Sequence, residues 1–401
     1  MSPPVIDGDD PPGAAEILVA LIQALSVTPD AGPALDVLER YFHPGGFTVD
    51  RPVFAEAGTT PVENLFAAIG HGNRHVTFAG HVDVVPPGPQ DRWLHPPFAA
   101  EIADGFVYGR GAVDMKGGVA AMVAAALRFL SRRGQNFGGR ISFLITGDEE
   151  GPAVNGTAKL LQWATARGEY FSHAVVGEPT SAERLGDQIK IGRRGSFSAT
   201  LDAEGVQGHA AYPHLAENPV RGLTQLLAAL QAPPLDAGSQ HFEPSTLEIV
   251  SVNVGNPAWN VIPATASARL NSRYNDLWTR DSLRAEIERR LSSAAQDASL
   301  GARVPVRWTL TEEPASSDVF LTRDERLIGL ISEAIHGVTG KPPALSTSGG
   351  TSDARFIKVY CPVVEFGPVG ATMHQFDERV ALADIEAAAR IYEEFLDAYF
   401  A

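Results

Sequence analysis

One cysteine in 401 residues, Cys361, leaves no disulfide within the chain and no zinc site built from thiolates. It stands beside Pro362 at the start of an apolar run, the setting of a buried structural thiol rather than of a nucleophile. Long hydrophobic runs are missing as well, and none nears the roughly 20 apolar residues of a membrane span. Positive charge is scarce: 32 Lys and Arg face 48 Asp and Glu, a formal net charge of -16. That balance argues against nucleic acid or an anionic membrane as a partner. It also repels anionic substrates, so any such substrate needs a local basic pocket. The segment 1–12 is acidic and Pro-rich, without the basic stretch and apolar core of a signal peptide, so a soluble cytoplasmic protein is expected.

What is present fits a soluble globular protein. Hydrophobic residues at 44% and charged residues at 20% exclude a disordered or fibrous chain, and the length favours two domains over one core. Heptads, internal repeats and low-complexity tracts are not found, and Pro-rich pieces such as 86–89 are short enough for loops.

Several apolar runs stop abruptly at metal-binding side chains. Residues 76–80 end in His81, 141–146 precede Glu149 and Glu150, 174–177 end in Glu178, and 363–367 precede His374. Short continuous apolar runs are the mark of parallel strands covered on both faces, and ligands in such sheets bind beyond the carboxyl ends of the strands. The clearest helix follows Asp114, with Val119, Met122, Val123, Ala126, Leu127 and Leu130 at helical spacing and Gly134 as its stop. Around Gly195 the pattern changes: strand 196–203, helix 219–231, strands 246–254 and 264–274, helix 281–295 and strand 304–311. This βαββαβ order is that of ferredoxin-like domains. Helix 324–339, strand 363–367 and helix 383–398 complete the chain. The expected fold is therefore α/β, with a mixed, largely parallel sheet in a catalytic domain over 1–194 and 309–401. An α+β domain is inserted at 195–308.

The chemistry concentrates at the strand ends. His81 and Asp83, two residues apart, point the same way, so the carboxylate can buttress the imidazole and fix its tautomer. Asp114 lies in Tyr108-Gly109-Arg110-Gly111-Ala112-Val113-Asp114-Met115-Lys116-Gly117-Gly118, where it can cap the following helix, bind a metal, or both. Asp148, Glu149 and Glu150 repel one another beside a buried sheet unless a cation offsets them; the plain alternative is an exposed acidic loop. Two imidazoles and three carboxylates suit zinc or a similar divalent ion, and a shared carboxylate can hold two ions. A carboxylate left over can take a proton from bound water. The residues alone do not divide these roles between Glu149 and Glu150.

These motifs resemble the dinuclear zinc amidohydrolases, a family of aminoacylases, deacetylases and desuccinylases, over essentially the whole chain. The finer match is to the desuccinylase branch, through Thr146-Gly147-Asp148-Glu149-Glu150-Gly151-Pro152, Gly192-Arg193-Arg194-Gly195-Ser196 and Gly208-His209-Ala210-Ala211-Tyr212-Pro213-His214. It extends to Asn260-Val261-Ile262-Pro263 and Ser348-Gly349-Gly350-Thr351-Ser352-Asp353. The resemblance implies that His81 and Glu178 hold one zinc, Glu150 and His374 the other, and that Asp114 bridges, with cobalt able to substitute. It implies that Asp83 orients His81 and that Glu149 is the general base. It further implies a homodimer through the inserted domain, with His209 reaching the partner's site to stabilise the oxyanion. Gly370 departs from the pattern, since some desuccinylases carry Asn four residues before the last His ligand, and this bears on fine specificity.

The implied reaction is hydrolysis of N-succinyl-LL-2,6-diaminopimelate, a small N-acyl amino acid, in lysine and diaminopimelate biosynthesis. Candidate substrate contacts are Arg193, Arg194, Ser196, Tyr212, Asn260, Gly350, Thr351 and Arg355. Adjacent arginines on an extended segment point to opposite faces, so one of Arg193 and Arg194 is expected in the pocket, and either can instead pair with surface acids. His209 has the alternative of being a surface loop histidine. Rival functions are an acetylornithine deacetylase or general aminoacylase, and a noncatalytic metal-dependent binding protein. A serine hydrolase is disfavoured because Gly195-Ser196 lacks the strand-to-helix elbow.

Overall fold

The computed structural model describes residues 11–297, 302, 305–313 and 317–401. Most of the acidic amino-terminal segment, residues 1–10, lies outside them. By contact density the chain divides into two compact units. The first comprises Met1–Ile191, Thr322–Ser346 and Ser352–Ala401, and the second Gly192–Leu321 with Thr347–Thr351.

In the first unit the apolar runs become neighbours. Strands Arg140–Thr146, His75–His81, His173–Val176 and Val363–Glu365 lie side by side, all parallel, at the centre of an eight-stranded sheet. Antiparallel strands Leu65–Gly70 and Thr48–Asp50 extend one edge. On the other side, Gln188–Lys190 runs antiparallel to Val363–Glu365 and carries Ala344–Ser346 in parallel. Both faces of the centre are covered, so the strands have no polar side to show. Phe78 meets Tyr392 of helix Leu382–Phe400 edge-on, on the face where Gly80 lies against Met115 and Val119 at the start of helix Lys116–Arg133. Phe66 faces the other way, in edge contact with Trp163 of helix Thr157–Ala166.

Helix Lys116–Arg133 ends as expected at Gly134, whose φ of 69° suits glycine and whose N–H reaches Leu130 O at 2.8 Å. Its start differs from one of the two expectations. Met115 occupies the N-cap, no side chain caps the helix, and the Asp114 carboxylate is turned toward two histidines instead. No helix among the described residues is long and apolar enough to cross a membrane.

The second unit has its own core. Strands Thr246–Asn253, Thr265–Tyr274, Gly195–Glu204 and Arg307–Glu312 form an antiparallel sheet in that spatial order. Along Gly195–Glu204, Phe197, Ala199, Leu201 and Ala203 all face inward, the alternation of a sheet covered on one side. Helix Pro219–Gln231 supplies Leu223, Leu226 and Leu230 to this core, and helix Arg280–Ala294 supplies Leu283, Ile287 and Leu291. A reciprocal cap between Thr279 and Ser282 starts the second helix. The element order is βαββαβ. The strand expected over 304–311 runs Arg307–Glu312, and Val304 lies outside the described residues.

Candidate metal centre

The parallel strands end at one edge of the sheet, and the chain beyond each end supplies a ligand-type side chain. His81 is the last residue of its strand; its Nε2 lies 3.1 Å from Asp114 Oδ1. Asp114 Oδ2 is 3.2 Å from His374 Nε2, which is 2.9 Å from Glu150 Oε1. His81, Asp114 and Glu178 offer ligand atoms within 4.8 Å of one another, and so do Asp114, Glu150 and His374. Asp114 belongs to both groups, with one oxygen turned toward each histidine.

Backbone packing sets these positions. Glu178 follows Gly177, and a Cβ on Gly118 at the start of the long helix would lie 1.9 Å from Gly177 O. Only glycine lets the Asp114 segment approach Glu178 so closely. In the acidic loop, Asp148 accepts from the N–H groups of Ala153, Val154 and Asn155 at 3.2, 2.9 and 2.7 Å, which turns it away from its neighbours. The buried Asp83 carboxylate accepts from Glu149 N at 3.3 Å and Glu150 N at 3.1 Å. His81 Nδ1 meets the main-chain O of Asp83 at 2.9 Å, whereas Asp83 Oδ1 is 3.6 Å away. Thus Asp83 fixes the ring chiefly through its backbone, and its carboxylate anchors the loop that carries Glu149 and Glu150. His374 has φ 61°, a left-handed conformation costly for histidine and common where function demands it.

The acids around these rings set their charge. Burial opposes a charged His81, but its bond to Asp114 and the charges of Glu149, Asp114 and Asp83 hold its pKa well above the usual value. Hydrogen bonds to Asp114 and Glu150 raise His374 to about 10. Burial raises Asp114, yet the bonds from His374 and His81 outweigh it and leave the group far below an ordinary carboxyl. Burial, then the charges of Asp353, Glu150 and Asp114, push Glu149 up to about 8 against the pull of His81. A cluster that holds both imidazoles protonated is one a divalent cation fits, because it can replace those protons. The donor set of two imidazoles and three carboxylates matches zinc-like ions.

The remaining candidates are held more loosely. In the second unit, Arg193 Nη1 donates to Gly350 O at 2.8 Å. Arg194 is half-buried, and its Nε makes no hydrogen bond. Ser196 is buried and paired with Ser317 through its main chain. His209 and Asn260 are exposed beside the paired segments Gly208–His209 and Val261–Ile262, with Tyr212 5.6 Å from the His209 ring. Thr351 is half-buried and Gly350 exposed. Arg355, in the first unit, lies over the Phe356 ring, with its Nε unbonded. A Cβ at Gly370 would sit 3.2 Å from Pro179 O, so a larger residue there is crowded.

Three groups escape a reading of the sequence. Arg273 stands opposite Ser196 on the neighbouring strand; burial and the nearby Arg194 charge lower its pKa. Asp353 is buried, accepts from Thr157 Oγ1 at 2.6 Å and raises Glu149. Glu378 is fully buried against Arg110 at 2.6 Å. Asp353 and Arg110 lie inside segments singled out by their motifs, but only the fold gives them, like Glu378, their partners. Arg273 carries no local signal among 32 basic residues.

Known proteins share this sequence and this fold. Succinyl-diaminopimelate desuccinylases from two strains of Methylorubrum extorquens are each 56% identical over 381 residues, covering 95% of this chain and 97% of theirs. The fold is shared with the aminopeptidase PepT of Bacillus cereus at a TM-score of 0.76 and 17% identity, over 96% of this chain and 98% of that one. It is shared with the metallo-carboxypeptidase Sso-CP2 of Sulfolobus solfataricus at 0.73 and 16%, over 96% and 99%. Residues 77–398 match Peptidase family M20/M25/M40, to which this chain belongs.

Proposed function

We propose that this chain hydrolyses the succinyl amide of N-succinyl-LL-2,6-diaminopimelate, using two divalent ions. The observation that carries this reading is Asp114, shared by two ligand groups with one oxygen toward each. His81 and Glu178 would hold one ion, Glu150 and His374 the other, and Asp114 both. Zinc, or cobalt in its place, would lower the pKa of a water toward about 7 and polarise the scissile carbonyl. Glu149 belongs to neither ligand group, so its carboxylate can accept the proton of the attacking water and return it to the leaving amine. His209 Nδ1 accepts the Ala211 N–H at 3.0 Å, so in the neutral ring Nε2 carries the proton and can donate to an oxyanion.

Charge favours a succinyl over an acetyl group. On a chain of net charge -16, Arg194 and Arg273 stand close together, half-buried, with no acidic partner among the described residues. Such a pair suits the free carboxylate of a succinyl group, which an acetyl group lacks. The likeness to the M. extorquens desuccinylases supports the same choice.

The second unit is assigned to dimerisation. Its edge strand Thr246–Asn253 leaves Val250 60% and Val252 57% exposed, and an unpaired apolar edge favours a second strand. In that dimer His209 serves the partner's site.

The deciding experiment is the ratio of kcat/KM for N-succinyl-LL-diaminopimelate over N-acetylornithine, with zinc-loaded enzyme. A ratio far above one is expected. A ratio below one moves the protein to the deacetylase branch, with Gly370 the first position to examine. Two bound ions without turnover of any acyl amino acid would leave only a binding protein.

A further inference from the structure

Beneath the ligands lies a buried clamp that the mechanism does not use. Strand Arg379–Ala381 pairs antiparallel with Phe106–Tyr108, with Arg379 opposite Tyr108. This register brings Glu378 beside the Arg110–Asp114 turn, and Gly109 N donates to Glu378 O at 2.8 Å. The Glu378 carboxylate then accepts from Gly111 N at 3.1 Å, Val113 N at 2.9 Å, Asp114 N at 3.2 Å and Arg110 Nη1 at 2.6 Å. One carboxylate thus closes the turn that presents Asp114.

The same clamp reaches His374. Arg110 is 3% exposed, and its guanidinium also donates to Gln375 O at 3.3 Å and His374 O at 3.5 Å. The loop around His374 is closed where Thr372 Oγ1 bonds Arg379 O at 3.0 Å and accepts from Arg379 N at 3.1 Å. His374 and Asp114 come from distant parts of the chain, and their backbones meet on Arg110 and Glu378. His81 is placed otherwise, by its strand and the Asp83 carbonyl, and Glu178 by the Gly118–Gly177 contact.

We infer that Glu378, clamped by Arg110, is the positioning residue that sets Asp114 against His374, and so governs the ion position made by Asp114, Glu150 and His374 more than the one made by His81, Asp114 and Glu178. This rests on the two-ion reading above. Loss of a group that orients metal ligands typically weakens binding by roughly 10–100-fold.

The test is a zinc titration of metal-stripped full-length protein, followed by competition with a chromophoric chelator, on wild type, Glu378→Gln and Arg110→Lys. Cobalt absorption spectra are recorded alongside. Wild type should show two steps. Glu378→Gln should weaken one step at least tenfold and leave the other within about threefold, with the cobalt spectrum altered for the weakened ion only and activity recovered at raised zinc. Arg110→Lys keeps the charge but loses the planar fork, so it should shift the same step less, and it decides the matter if Glu378→Gln does not fold. A lower melting temperature with both zinc steps unchanged would make the clamp a scaffold alone and overturn the inference. A single step in wild type would instead count against the two-ion reading.

Discussion

The acidic centre of the first unit and the substrate-contact candidates of the second, Arg194, Arg273, His209, Tyr212 and Asn260, hold their side chains by different means. Each ligand-type residue of the centre has its backbone set at a strand end, a glycine contact or a buried acid. Asp83, Asp148 and Glu378 together accept eight main-chain N–H groups around it. Those candidates have little of this. Arg194 makes no bond through Nε, and His209, Tyr212 and Asn260 are exposed. A group that must share an ion or a proton has to be placed to within a fraction of an ångström. A group that greets the far end of a substrate can find its place on binding, at a cost in side-chain entropy. On the proposed reading, the reaction type is built into the rigid part, and the choice of acyl group into the adjustable part.

The largest break in this comparison should come from Glu149→Ala. Removing the proton carrier should lower kcat by roughly 10²–10⁴-fold while metal content, read by atomic absorption, stays at the wild-type level. Near-normal turnover with both ions bound would remove Glu149 from the mechanism.

The rigidity of the centre can be tested at the far end of its own strand. His75 is buried between Tyr170 O at 2.7 Å and Ser142 Oγ at 2.8 Å, and burial lowers its pKa to about 4. A folded pKa below the unfolded value of about 6.5 means stability that is present above pH 6.5 and lost as pH falls through 4, up to about 3 kcal/mol. Denaturant unfolding of the metal-free protein across this window should show that decline, and His75→Gln should flatten it. An unchanged slope would show that other groups set the acid sensitivity.

The smallest effect is expected at the Arg194–Arg273 pair. Arg273→Met should cost about 1.5–3 kcal/mol in kcat/KM for the succinylated substrate, the usual worth of a hydrogen bond to a charged group. It should leave an acetylated substrate nearly unchanged. Equal losses on both would place Arg273 outside the acyl pocket.

Much of the centre is legible in the chain because burial leaves a local mark. A strand covered on both faces is mostly apolar, so a run such as 76–80 that stops at a ligand-type residue stands out, as it does at His81. The βαββαβ order is legible for a similar reason, since one-sided strands such as Gly195–Glu204 alternate and helices such as Pro219–Gln231 repeat at helical spacing. Glu378 leaves no such mark. The partners of its carboxylate are more than 260 residues away in sequence, at separations of 264 to 268. Asp83 shows a subtler gap: its spacing from His81 puts the pair together, but not which atom of Asp83 meets the ring.

By itself, then, the sequence determined the element types, the set of ligand-type side chains and the sign of the surface, all of which follow from periodicity and composition along the chain. Only the tertiary structure decided that Asp114 faces two histidines instead of capping its helix, that Arg273 stands beside Arg194, and that Glu378 closes the Asp114 turn. Those outcomes depend on hydrogen bonds and charges between segments far apart in the chain, and such pairings exist only once the sheet has set its strand order and register.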